Sequence, residues 1–440
     1  MRVFRILFLL PRHGSTLTRA WLAASAAAGL LITLAAAPAT ADPPVSGASD
    51  PAVISDWNAI AANTLRGDTT KFPADNILYM AFVQAAVYDA VVGVEGRYAP
   101  YLFNAHAPSG TSSQAAAVAA AHEVLVTYSP YAQTTLDAAY AASLAQIPDG
   151  KAKTRGIDFG TRAADNLIKQ RANDGRNAPI LFTRPPAPGV WRPTPPAFAP
   201  MVDPWMGFVT PLLVDSPTQF APPPPPALTS QRYTQDFNEV KALGSATSTV
   251  RTPAQTSTAL FYSGLANPQL QAMLRDQAAL RQLDIVDAAR MFAAADMSAA
   301  DTIISVWHAK YVYGTWRPDT AINLADTDGN PATEPDTSWV PLRPDPAYPE
   351  YPSGYNGAVA SITRGLEKVF DTQQLQLTVI STAVPDVRHY DTGAALRQDV
   401  VDGRMWLGVH FRFADIAGRD IGLQLTNWTL DHYFQPVHDG

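Results

Sequence analysis

The chain of 440 residues contains no cysteine. Disulfide staples, thiolate metal sites and cysteine nucleophiles are therefore excluded, and stability has to come from packing. An excess of basic residues is lacking too: 32 Lys and Arg stand against 39 Asp and Glu, a formal charge of −7. A nucleic-acid binder needs the opposite balance to neutralise phosphates, so no nucleic-acid partner is expected. Clear runs of alternating apolar and polar residues, the mark of half-buried strands, are nearly absent. In such a protein a local cluster of basic side chains is informative.

The first residues read as a cleavable export leader over 1–41. Arg2, Arg5, Arg12 and Arg19 precede the apolar stretch from Trp21 to Leu34, and Ala39-Thr40-Ala41 supplies a small-x-small cleavage pattern before Asp42. A retained anchor is the competing reading. The apolar stretch is interrupted by Ser25, Thr33 and Pro38 and is shorter than the ~20 residues a membrane span needs. The expectation is a secreted, extracellular protein with no membrane contact in its mature form. The leader carries four arginines and no acid, so its loss takes the formal charge from −7 to −11.

Apolar spacing near 3.6 predicts helices from residue 52 onward: 53–65, 77–92, 115–128, 131–144 and 151–171. Between Asn177 and Leu228 the composition shifts to proline, with an unbroken run from Pro222 to Pro226. Proline lacks a backbone donor and fixes φ, so this stretch reads as a long surface excursion. Helical patterning returns at 234–243, 254–263 and 268–283, then in a long run from Asp284 to Trp316 that stops at Arg317-Pro318. Helices are expected again at 353–370, 394–410 and 414–433. The predicted fold class is all-α, two stacked helical bundles joined by the Pro-rich excursion. An N-terminal half over 42–228 and a C-terminal half over 229–440 are expected.

Three blocks in the C-terminal half carry chemistry. In Lys310-Tyr-Val-Tyr-Gly-Thr-Trp-Arg317-Pro318, two cations seven residues apart on one helix would differ by ~20° in direction and could converge on an anion. In Tyr351-Pro352-Ser353-Gly354-Tyr355, a serine N-cap followed by glycine would expose backbone N–H groups at the positive end of a helix. In Gly403-Arg404-Met-Trp-Leu-Gly-Val-His410, Arg404 offers a fork for oxyanion oxygens and His410 an imidazole nitrogen. On one straight helix these last two lie ~120° apart, so a shared site needs a long Arg reach or a helix end between them.

Taken in order, Lys-x6-Arg-Pro, Pro-Ser-Gly and Arg-x5-His resemble the shared signature of vanadium-dependent haloperoxidases and type-2 phosphatidic-acid-phosphatase-like acid phosphatases. Further segments resemble the haloperoxidase branch: Ala86-Val-Tyr-Asp-Ala90, Trp316-Arg-Pro-Asp-Thr-Ala-Ile322, Asp326-Thr-Asp-Gly-Asn330 and Gly408-Val-His-Phe-Arg-Phe413. The resemblance implies that Lys310, Arg317 and Arg404 neutralise the equatorial oxygens of a vanadate, while Ser353 and the Gly354 amide hydrogen-bond them. His410 would bind vanadium axially, or attack phosphorus if the chain is a phosphatase and phosphate the ligand. The implied partners are hydrogen peroxide and a halide or small organic acceptor; a homo-oligomer is left open.

One position departs from the family pattern. Where the family has histidine after Pro-Ser-Gly, this chain has Tyr355. A phenol with an ordinary pKa near 10 is a poor proton shuttle at neutral pH. The serine usual before the last arginine is Gly403, and the phosphatase aspartate four residues after the axial histidine is Ala414, with Asp415 one place later. His389 is a candidate substitute for the missing acid–base group. The leading expectation is a vanadate-dependent haloperoxidase-like oxidoreductase impaired by Tyr355. The alternatives are an acid phosphatase acting through His410 and a non-catalytic oxyanion-binding homologue.

Overall fold

The computed structural model describes residues 50–437; the leader expected at 1–41 lies outside them. The described residues form thirteen α-helices and one two-stranded sheet. In chain order the helices of the first part are α1 (Ala52–Gly67), α2 (Asp75–Glu95), α3 (Ser113–Tyr128), α4 (Gln133–Ala145) and α5 (Lys151–Gln170). The second part holds α6 (Gln231–Leu243), α7 (Pro253–Phe261), α8 (Ala266–Leu280), α9 (Ile285–Tyr313), α10 (Pro318–Asn323), α11 (Gly354–Val369), α12 (Gly393–Trp406) and α13 (Arg412–His432). The helical prediction therefore holds through most of the chain.

α2 is apolar around its whole circumference because it is covered on every side, lying against α9, α3 and α5. It is long and apolar enough to cross a membrane by composition, and burial in this core accounts for the same apolarity. On its other side α9 meets α11, which packs closely on α13. That last approach depends on two glycines of α13. A Cβ at Gly418 would stand 2.0 Å from the Ser353 carbonyl oxygen, and one at Gly422 would stand 2.4 Å from that of Gly357.

Two features differ from the sequence expectation. The Pro-rich excursion is partly core rather than only surface: Met201, Trp205, Met206, Val209 and Leu212 to Val214 are buried. Asp301 of α9 explains this, since its carboxylate accepts the backbone N–H groups of Leu212, Leu213 and Val214 at 2.6–3.0 Å. A segment without regular partners for its amides can be buried once a side chain supplies them. The second difference is a hairpin, β1 (Gln374–Ile380) paired antiparallel with β2 (Val387–Thr392). Leu375, Leu377 and Val379 turn inward on alternate residues of β1, a short alternation embedded among helices.

The Asp326–Asn330 stretch forms an Asx turn. Asp328 accepts the Asn330 amide at 2.7 Å and the Thr333 hydroxyl at 2.7 Å, so its carboxylate is engaged locally.

Candidate active site

α9 ends earlier than its apolar pattern suggests. Gly314 adopts a left-handed φ of 58° and its N–H closes on the Lys310 carbonyl at 2.8 Å, so the helix stops at Tyr313. Lys310 thus lies in the last turn of α9, while Arg317 is the N-cap of α10. The expected alignment of both on one helix is corrected: Arg317 reaches the site across an extended Thr315–Trp316 link. That link is held by the Pro-rich segment, with Trp191 N–H donating to Gly314 O at 2.7 Å and Trp316 N–H to Gly189 O at 3.0 Å.

Arg404 and His410 come together by the second route foreseen. α12 ends at Trp406, Gly408 takes φ 85°, and α13 starts only at Arg412, so a reversal separates them. Ser353 is the N-cap of α11, although its side chain makes no capping hydrogen bond; its Oγ accepts from Asn356 Nδ2 at 3.2 Å. A Cβ at Gly354 would lie 2.9 Å from the Trp307 ring, which leaves room only for glycine at this helix start.

Lys310, Arg317, Ser353 and His410 are buried to within 1% of fully, and Arg404 to within 7%. Lys310 Nζ donates to the carbonyls of Pro349 and Glu350 at 2.8 and 2.9 Å. Arg317 donates from Nε to Tyr348 O at 3.0 Å and from Nη1 to Val409 O at 2.7 Å, next to His410. Arg404 Nη1 donates to Tyr262 O at 3.0 Å. The remaining donors Arg317 Nη2 and Arg404 Nε are buried without a partner. Burial and then the neighbouring Arg317 push the Lys310 pKa well down. Burial and then Arg317, Arg404 and Lys310 do the same to His410. The three basic side chains therefore act on one imidazole, and the buried carboxyl groups of Glu350, Asp345 and Asp415 lie within reach of the same charges.

Glu350 is the residue sequence reasoning missed. Its Oε1 lies 2.9 Å from His410 Nδ1 and accepts the Phe411 N–H at 3.0 Å. Because this oxygen already accepts the Phe411 N–H, we assign the hydrogen to Nδ1, and that tautomer leaves Nε2 with its lone pair. Burial raises the Glu350 pKa well above the usual carboxylate range, with Arg317 and Lys310 opposing. Sixty residues separate the pair, and no spacing rule links them. Asp415, the nearest sequence candidate for this role, instead accepts Asn356 Nδ2 at 2.8 Å, and burial lifts it to about 7.

A cavity of about 240 Å³ opens onto this cluster, lined by Arg404, His410, Gly354 and Tyr355 together with apolar groups such as Trp307 and Leu265. Lys310, Arg317 and Ser353 stand behind this wall. The Tyr355 ring lies under the Arg404 guanidinium, 5.1 Å from centroid to Cζ, and edge-on to Tyr262 at 6.2 Å. Its hydroxyl donates to Gln269 Oε1. Burial raises its pKa above the ordinary phenol value, so it stays protonated with that proton committed to Gln269. His389 sits on β2, where its Nδ1 pairs with Thr378 Oγ1 at 3.3 Å. Among the described residues His410 is the one histidine lining this cavity.

Fold and site together define a helical protein with a buried, cationic, histidine-bearing pocket. Residues 290–439 match the family model of the VCPO second helical-bundle domain. The vanadium chloroperoxidase of Curvularia inaequalis is 27% identical over 202 residues, 34% of this chain and 32% of that protein, so the match spans about a third of the relative's length. A bacterial vanadium-dependent iodoperoxidase superposes with a TM-score of 0.75 at 21% identity, covering 88% of this chain and 98% of that one. A bacterial vanadium-dependent chloroperoxidase in its holo form gives 0.67 at 17% identity over 87% and 97%. The chain has the fold of the vanadium haloperoxidases, and its residues 290–439 match the model of their second helical-bundle domain.

The residues present fit a vanadate. Two buried guanidinium N–H donors lack partners, three basic side chains surround the position, and His410 in the assigned tautomer offers an Nε2 lone pair. Changing Glu350 to Gln is expected to weaken vanadate binding roughly ten- to hundredfold, the usual effect of disturbing the group that orients a ligating histidine. Vanadate titration followed by calorimetry checks this; an unchanged affinity would show that Glu350 does not set the imidazole.

Proposed function

We propose that the chain is a vanadate-dependent, haloperoxidase-like oxidoreductase, exported after loss of its leader, that uses hydrogen peroxide to oxidise a halide. The observation that carries this reading is His410, oriented by Glu350 and placed among Lys310, Arg317 and Arg404. Bound vanadate would supply the peroxide-activating centre. The chain's own part is to neutralise the anion with its three cations, to hold it with Ser353 and the Gly354 amide, and to present His410 Nε2 as ligand. Tyr355 keeps its proton on Gln269 and supplies no acid–base group, so turnover is slow.

A second reading is supported by the same Glu350–His410 pair. An imidazole with Nδ1–H held by a carboxylate is also arranged as a nucleophile toward phosphorus, which would make phosphate monoesters the substrates. The test is to titrate the full-length exported chain with vanadate and to assay bromide-dependent peroxide consumption beside phosphate-ester hydrolysis. Vanadate at 100 times its Kd is expected to stabilise the fold by about 2.7 kcal/mol in thermal melts, with weak peroxidase turnover. Phosphatase turnover without peroxidase activity selects the second reading. Binding with neither activity makes the chain a non-catalytic oxyanion binder.

A further inference from the structure

The irregular segment 343–348, which contributes to the cavity wall, carries an acid that the proposed chemistry does not use. Both carboxyl oxygens of Asp345 are shielded from solvent and lack a hydrogen-bond partner. Its chain neighbours Pro344 and Pro346 line the cavity that holds Arg404 and His410. Arg317 and Arg404 act on Asp345 as nearby opposite charges, and Asp319 acts as a like charge. A buried acceptor without a donor is costly, and most native structures avoid it. The pocket's other carboxyls are each anchored: Glu350 by His410 and Phe411, and Asp415 by Asn356. Asp345 alone has both oxygens free.

A buried carboxyl beside the arginines of an anion site is an odd neighbour unless the anion brings a hydrogen of its own. Hydrogen phosphate and hydrogen vanadate carry an O–H at neutral pH, whereas sulfate has none. Building on the oxyanion reading, we propose that Asp345 is a specificity-determining residue. It shares one proton with the bound oxyanion, so the pocket takes hydrogen phosphate or hydrogen vanadate in preference to sulfate. With phosphate or vanadate the ligand provides the proton. With sulfate the proton has to reside on the carboxyl; otherwise two negative groups face each other without a donor.

Burial raises the Asp345 carboxyl to about 8 against the pull of Arg317 and Arg404. Below that value the neutral acid can donate to either anion. Above it the carboxylate accepts from hydrogen phosphate and repels sulfate, so discrimination grows with pH.

The test is to titrate inorganic phosphate, vanadate and sulfate separately into the full chain and into Asp345→Asn, above pH 8. The original protein is expected to prefer phosphate to sulfate by roughly ten- to hundredfold, the scale of a hydrogen bond to a charged group. Asp345→Asn, whose amide can donate, should bring the two within a few-fold of each other, mainly by gaining sulfate affinity. Equal binding of the two anions by the original protein, or an unchanged ratio in the variant, overturns the proposal and leaves the oxyanion pocket standing. If none of the three anions binds, the oxyanion reading falls and the proposal with it. Should the variant fail to fold, the phosphate-to-sulfate ratio of the original protein decides. A rise through pH 8 supports the shared proton, and a flat ratio refutes it.

Discussion

Replacing Tyr355 with histidine is expected to raise peroxide-dependent bromide oxidation by roughly 10²–10⁴-fold, the range general acid–base catalysis contributes. The reason is positional. Tyr355 lines the cavity beside Arg404 and His410, yet its hydroxyl is bound to Gln269 and its pKa is pushed up by burial. An imidazole in its place would be shorter, would give up Gln269, and would titrate near neutrality unless burial lowers it. The change has a cost. Gln269 is 3% exposed and its Nε2 already lacks a partner, so losing the phenol also leaves its Oε1 unpaired, worth about 1–3 kcal/mol of stability. The expected result is therefore a faster and less stable protein, read from initial rates and urea midpoints on the same preparation. Unchanged rates in a folded, vanadate-binding variant would mean that acid–base chemistry is not what limits this chain.

The sequence revealed the fold class and pointed to most of the side chains that the fold gathers around His410, because both depend on local signals. Helix periodicity is local, and so are the three motif blocks. What it could not reveal depends on contacts between distant segments. Glu350 meets His410 only because the turn before α11 folds against the reversal between α12 and α13. The burial of Leu212 to Val214 required the Asp301 carboxylate from another part of the chain. The Lys310–Arg317 alignment was misplaced because the helical pattern reads on past Gly314 to Trp316, and one left-handed glycine outweighs that extension. Tyr355 is the reverse case. The sequence flagged the substitution, and only the structure showed that its proton is engaged by Gln269.

Changing His410 to alanine is expected to abolish turnover, by on the order of 10⁴–10⁶-fold, the scale seen when a residue that works as part of a catalytic unit is deleted. The two readings assign this imidazole different tasks, and both need its Nε2. Oxyanion binding should weaken but persist, because Lys310, Arg317 and Arg404 are held by backbone carbonyl oxygens rather than by the His410 side chain. The buried Glu350 would keep the Phe411 N–H and lose its second donor, so some destabilisation, about 1–3 kcal/mol, accompanies the change. Added imidazole can refill the space and restore part of the activity, a result that a merely structural role for His410 would not give. Rescue of peroxidase turnover would favour a ligand role. Incorporation of phosphate into the original protein but not the variant, on a phosphate ester, would favour the nucleophile. A variant with undiminished turnover in both assays would remove His410 from the chemistry and leave the cationic pocket as a binding site alone.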